Sequence, residues 1–160
     1  MSTVCKKGKC SGCKACIDIC PQGAISFSDN LTYLEANIDE GKCIECNLCH
    51  KVCQENNPPT FHHPIAWYQG WAKDQHVREG ASSGGIASAL AIAFINSGGV
   101  VCSCKLMNGD FHYQISNSIR TLEGCAGSKY VKSNPEGAYK SIRKYLTQGT
   151  KVLFIGLPCH

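Results

Sequence analysis

Thirteen cysteines stand in a chain of 160 residues, and eight of them fall into two short runs. The first, GKCSGCKACIDIC at 8–20, holds Cys10, Cys13, Cys16 and Cys20. The second, GKCIECNLCHKVC at 41–53, holds Cys43, Cys46, Cys49 and Cys53. A shift of 33 residues lays all four cysteines, and the Gly-Lys before each first one, on their counterparts. Repetition of a cysteine motif points to a two-fold pseudo-symmetric metal site. Thiols so grouped can bind metal, pair as disulfides or do redox chemistry. Zinc sites place two Cys-x2-Cys knuckles around one ion. Here each run presents three thiolates at successive short spacings, which suits three irons at the corners of a cubane. The fourth cysteine lies on the helical turn that follows and points away. The odd cysteine count, and a polar start without the apolar core of a signal peptide, argue against a disulfide scaffold.

Over residues 5–58 the chain resembles the bacterial two-cluster ferredoxins, whose pattern is C-x2-C-x2-C-x3-C-P and whose fourth cysteine serves the opposite cluster. The resemblance implies two 4Fe–4S clusters. One is held by Cys10, Cys13, Cys16 and Cys53, the other by Cys43, Cys46, Cys49 and Cys20. Pro21 follows the first run as in the family, whereas Gln54 replaces the second proline. That replacement predicts altered solvent exposure and potential rather than a lost cluster. His50 is expected on the exposed side of a helical turn, and Cys5 as a spare thiol. The formal charge is +4, but two clusters with ionised ligands each add about −2 and bring the holoprotein near neutrality. Lys6, Lys7, Lys9 and Lys14 then read as solvated lysines, or as a rim for an acidic redox partner.

The elements that must position these residues are readable in outline. Between the runs, AISFSDNLTYLEANID at 24–39 alternates around Asp29-Asn30 and predicts a β-hairpin. QENNPPTFHHPI at 54–65 is polar and proline-rich, and residues 59–64 are taken as a linker between a ferredoxin domain, 1–58, and a second domain, 65–160. IAWYQGWAKD at 65–74 looks extended. A helix is expected from Ile86 to Ile95, largely buried, capped by Ser82 or Ser83 and stopped by Gly98-Gly99. GVVCSCKLM at 99–107 and FHYQIS at 111–116 predict paired strands. Residues 133–149 predict an amphipathic helix capped by Asn134, with Pro135 at its first position, Gly149 past its end, and Ala138, Ile142 and Leu146 inward. KVLFI, from Lys151, predicts a buried strand. The expected class is α+β: a hairpin with short helices, then part of an α/β domain with a mixed sheet.

Three stretches of the second part carry possible chemistry. Ser82-Ser83-Gly84-Gly85 at a helix start offers free N–H groups to a phosphate, or only close packing. GSKYVKS at 127–133 is a glycine turn. Gly156-Leu157-Pro158-Cys159 follows a strand, where α/β sheets place their sites. In this order, after a two-cluster ferredoxin, they resemble the coenzyme F420 hydrogenase/dehydrogenase β-subunit family, with its SGG helix start, GSKYV(Q/K)S segment and G-x-P-C-Q strand end. The resemblance implies a flavoprotein oxidoreductase in which FAD passes electrons between iron–sulfur clusters and a substrate or deazaflavin coenzyme. Ser83, Gly84, Gly85, Ser128, Lys129 and Tyr130 are its candidate flavin contacts, and Cys159 the candidate catalytic residue. His160 departs from the family glutamine, and the family continues beyond this point, so a fragment is expected. Cys102, Cys104 and Cys125 match no local motif, and Cys102 and Cys104 are expected as buried apolar thiols on one strand face.

The reading is an iron–sulfur, electron-transfer protein of the cytoplasm, working with a redox partner protein or enzyme subunit. The 43% hydrophobic content excludes a disordered chain. Absence of a basic run speaks against nucleic acid, and the longest apolar run, 86–95, is too short to span a bilayer. Two rivals stand beside it: a ferredoxin-like carrier with a non-catalytic docking module, and a structural zinc protein.

Overall fold

A computed structural model of the chain describes residues 2–160. It divides into two compact units. The first holds the chain up to His62 together with Pro135–Lys140 and Leu157–His160, and the second holds His63–Asn134 and Ser141–Gly156.

In the first unit, β2 (Ile25–Asp29) and β3 (Leu34–Ile38) form the expected hairpin, with Ile25 opposite Ile38 and Asp29 opposite Leu34. Strand β1 (Ser2–Thr3) joins the other side of β3. The alternation that predicted the hairpin buries Ile25, Ala36 and Ile38 on one face. Val4, Cys16 and Cys53 complete this core, with Cys5, Cys10, Cys20, Cys43 and Cys49 packed on it. So the small core is built largely from the sulfur residues themselves.

Two short helices, α1 (Ala15–Ile19) and α2 (Leu48–Val52), carry the later cysteines of each run. The sequence repeat is also a conformational repeat. Lys14 and Asn47 both enter their helices in the left-handed region, at φ 58 and 61. Cys20 and Cys53 both leave them extended, at φ −71 with ψ 116 and 119. Gly12 and Glu45, also 33 positions apart, share positive φ values of 72 and 54. A non-glycine residue there is uncommon, so Glu45 holds a backbone shape that glycine holds in the first run.

In the second unit, α3 (Gln75–Glu79) and α4 (Ile86–Asn96) precede a three-stranded mixed sheet. Strands β4 (Val100–Met107) and β5 (Asp110–Ser116) are antiparallel, while β6 (Val152–Ile155) runs parallel to β4 after α5 (Ala138–Thr147). Residues 65–74 form no regular strand.

Three expectations about these elements change. Helix α4 is not largely buried: only Ala91 is, while Ile86 and Leu90 are 42% and 57% exposed. A helix apolar all round meets a sheet of three strands on one stripe only, so the rest stays open. On α5, Ala138 is buried but Leu146 is 55% exposed and not inward. Strand β6 is half-buried rather than buried, because it lies at a sheet edge.

Cys102 fits its expectation, fully buried on β4. Burial, then the neighbouring Cys125 sulfur, pushes its thiol up from 9.0 to about 12. Its folded value therefore exceeds the unfolded one, and it supports the fold fully below 9.0, with that support lost as pH rises toward about 12. Iodoacetamide at neutral pH is expected to leave Cys102 unmodified in the native protein and to label it after denaturation, as mass spectrometry would read.

Candidate iron–sulfur and cofactor sites

The structure sorts the eight repeat cysteines into two sets, and the sets cross the runs. Cys10, Cys13, Cys16 and Cys53 line one cavity, with Val4, Phe27 and Ala36 among its apolar walls. Cys20, Cys43, Cys46 and Cys49 line another, with Ala24, Ile25, Ile44 and Leu48. The crossing follows from the two extended residues that end α1 and α2, which carry Cys20 and Cys53 out of their own runs.

The donor chemistry fits a polynuclear cluster. Burial, then the neighbouring Cys13 and Cys10 sulfurs, pushes the Cys16 thiol up to about 12. Cys49 is raised by burial, with Cys20 and Cys43 adding to it. Four sulfurs around one space ionise together only when positive charge lies among them, as the irons of a cluster supply. Backbone amides share the load: the Ile17 N–H supports an ionised Cys16 and the His50 N–H an ionised Cys49. These two amides are again 33 positions apart. Further amides of Ala24 and Glu45 lie 3.3 and 3.4 Å from the sulfurs of Cys20 and Cys43. Such bonds stabilise the reduced, more negative state of a cluster. Among the described residues, no three His, Cys, Asp or Glu side chains converge as a single metal ion requires.

The two sites differ. Cys16 and Cys53 are buried, whereas Cys46 is exposed and α2 buries no residue. The first cavity also has a fifth sulfur, Cys5. Burial, then Cys53 and Cys10, pushes this thiol up to about 12. Gln54, at the missing proline, acts as a tether. Its Nε2 donates to Ser11 Oγ at 2.9 Å and to the Cys159 carbonyl at 3.0 Å, and the Ser11 hydroxyl donates to the same carbonyl at 3.4 Å. Ser11 lies between Cys10 and Cys13, so Gln54 braces the loop of the first cavity.

Asp18, buried between Cys16 and Cys20 on α1, accepts hydrogen bonds from the N–H groups of Gly137, Tyr139 and Lys140 at 2.8, 3.0 and 3.3 Å. It caps α5 in place of Asn134, whose expected role fails because the helix begins only at Ala138. Lys14 is no free docking charge: it pairs with Glu136 at 3.0 Å and lies over the Phe27 ring.

The second unit contains a cavity of about 730 Å³, within the range of small-molecule and cofactor sites. Ser83, Gly84, Gly85 and Ser128 line it. Lys129 and Tyr130 are not in its lining: the Lys129 ammonium donates to the carbonyls of Cys125, Ala126 and Gly127, and Tyr130 is exposed. Cys159 belongs to the first unit and stands by Gln54 and Ser11 instead.

The two motif segments meet through Ser82, a residue whose role was misplaced from the sequence. Neither Ser82 nor Ser83 caps α4, whose N-cap is Gly85 with no side-chain partner. Ser82 Oγ instead accepts the Ser128 N–H at 2.8 Å, joining one end of the cavity wall to the other. Packing explains the glycines: a Cβ on Gly84 would lie 3.1 Å from the Gly70 carbonyl oxygen, and one on Gly85, whose φ is +74, would lie 3.0 Å from the Val77 carbonyl oxygen. Ser103, on β4, also lines the cavity. Its Oγ is buried and has no hydrogen-bond partner, an arrangement that favours a polar ligand atom opposite it. No pattern in the sequence marks Ser103 beyond its place between two cysteines of the opposite strand face.

Comparison with known proteins agrees with both halves. Residues 9–57 match the 4Fe-4S dicluster domain family, and residues 67–137 match the family described as coenzyme F420 hydrogenase/dehydrogenase, beta subunit N-term. An F(420)H(2) dehydrogenase subunit of Methanosarcina mazei is 22% identical over 94% of this chain and 46% of its own length. A subunit of the ion-translocating oxidoreductase complex of Methanosarcina acetivorans is 40% identical over 55 residues, which is 34% of this chain and 19% of that protein. The chain therefore spans less than half of either relative. The first family match is to an iron–sulfur domain and the second to part of an oxidoreductase family. No helix among the described residues is long and apolar enough to cross a membrane.

Proposed function

We propose that this chain, which joins a 4Fe–4S dicluster domain to a coenzyme F420 hydrogenase/dehydrogenase beta-subunit N-terminal region, relays single electrons inside a flavin-dependent oxidoreductase. The observation that carries the reading is the sorting of eight cysteines into two four-sulfur cavities. On this reading Cys10, Cys13, Cys16 and Cys53 hold one 4Fe–4S cluster, and Cys20, Cys43, Cys46 and Cys49 the other. Bound clusters supply one-electron transfer, and a flavin couples it to a two-electron acceptor.

The chain's own residues bind and orient. The paired amides of Ile17 and His50 stabilise sulfur charge, and Gln54 fixes the loop around the first cavity. In the second unit Ser83, Gly84, Gly85 and Ser128 would form a wall for FAD, and the Ser103 hydroxyl would be free to bond one of its polar atoms. The partner is an enzyme subunit or redox protein, a reading supported by the relatives, each of which is named as a subunit.

Anaerobic iron, sulfide and flavin analysis of the purified protein tests both halves. About eight irons with matching sulfide are expected. Zinc without sulfide would end the iron–sulfur reading. FAD titration should show saturable binding, and Ser103→Ala should weaken it about tenfold, the worth of one hydrogen bond in a dry cavity. Clusters without any flavin affinity would leave a plain electron carrier.

A further inference from the structure

We propose that Cys5 is a reserve ligand of the first cluster, able to take over the iron held by Cys53. The inference rests on the cluster reading above. Cys5 is the fifth sulfur of the cavity lined by Cys10, Cys13, Cys16 and Cys53. Its side chain shares that lining with Cys53 and Cys10, the two ligands at the ends of the crossed set. The second cavity has four cysteines and, among the described residues, no fifth in its lining. The feature therefore does not follow from the repeat: Cys5 lies outside it.

Cys5 is also held where it is. The Val4 N–H donates to the Ala36 carbonyl at 2.9 Å, Asn56 Nδ2 donates to the Val4 carbonyl at 2.8 Å, and Thr3 Oγ1 donates to the Cys5 carbonyl at 2.9 Å. Half-buried against the core, its side chain has little freedom to leave the cavity.

The exchange balances without a redox partner. The Cys5 S–H bond breaks and its sulfur bonds the iron. The Cys53–iron bond breaks, and the proton passes to the Cys53 sulfur, which lines the same cavity. No electron moves. The swap changes which segments the cluster ties together. With Cys53 as ligand, the first cluster joins the two halves of the repeat. With Cys5, all four sulfurs come from residues 5–16, so the first cluster can form or persist while the second run is not yet in place.

The test compares the full chain with Cys5→Ala, Cys53→Ala and the double variant, all reconstituted anaerobically with iron and sulfide. Wild type, Cys5→Ala and Cys53→Ala should each hold about eight irons, and the double variant about four. Cys53→Ala should also shift the EPR signal of the first cluster and leave that of the second unchanged. The second signal reports in each sample that the unit has folded. If Cys53→Ala holds about four irons with the second signal intact, Cys5 does not substitute and the proposal falls. If Cys5→Ala alone drops to about four, Cys5 is a resident ligand rather than a reserve, and the proposal falls as well. A wild type without iron and sulfide would overturn the underlying cluster reading, a different result from either. Should Cys53→Ala fail to fold, Cys53→Val takes its place, refilling the buried space without a ligating atom, with the same expected and overturning counts.

Discussion

Cys20→Ala is expected to remove the cluster that Cys43, Cys46 and Cys49 bind, and to spare the one bound by the run in which Cys20 itself lies. Cys20 ends α1 in an extended conformation, at φ −71 and ψ 116, and its sulfur lines the second cavity. There it is an electrostatic neighbour of Cys49, while the Ala24 N–H donates to it at 3.3 Å. Among the described residues no further cysteine lines that cavity, so nothing can take its place. Iron should fall from about eight to about four per chain, and the reduced protein should keep only the EPR signal of the first cluster. Cys53→Ala is the contrasting case: it perturbs the first signal, with Cys5 at hand to retain the iron. Loss of the first signal with the second intact in Cys20→Ala would overturn the crossed assignment.

What could be read from the sequence was what is encoded locally. The two runs fix their own backbone through left-handed residues at Lys14 and Asn47, so an offset of 33 residues in the sequence reappears as matched dihedral angles. The hairpin declares itself by alternation around Asp29-Asn30, and the chain segments of the mixed sheet by their apolar runs. Features that depend on distant partners were not legible. Cys5 has no spacing relation to either run, and only folding brings it beside Cys53. Gln54 looked like a loss of shielding, yet its amide braces Ser11 and the Cys159 carbonyl. Ser82 had the composition of a helix cap but bonds the Ser128 amide instead. Ser103 became notable only when its hydroxyl was found buried on a cavity wall without a partner. Each of these is a polar group whose partner lies far along the chain, where periodicity and capping rules are silent.

Asp18→Ala is expected to be among the most destabilising single substitutions in the first unit, although it removes no cluster ligand. The carboxylate is 8% exposed and accepts three backbone N–H groups, those of Gly137, Tyr139 and Lys140, at 2.8–3.3 Å. These include donors that open α5, where the first turn has no intrahelical acceptor and the helix dipole favours negative charge. A hydrogen bond to a charged group contributes about 1.5–3 kcal/mol, and an unsatisfied buried donor costs a similar amount. Removing all three partners should therefore cost roughly 3 kcal/mol after solvent re-enters, or a fall of roughly 6–12 °C in melting midpoint for a chain of this size. Asp18→Asn keeps one acceptor oxygen and should fall between alanine and wild type. Amide hydrogen exchange locates the effect: Gly137, Tyr139 and Lys140 should exchange faster in both variants, while the β2–β3 hairpin amides change little. Iron content should remain at about eight per chain below the melting transition. A midpoint unchanged in Asp18→Ala, with unaltered exchange at these three amides, would show that the cap does not hold the start of α5. The carboxylate lies between two cysteines assigned to different clusters, so this comparison separates what the cap contributes to the fold from what the clusters contribute.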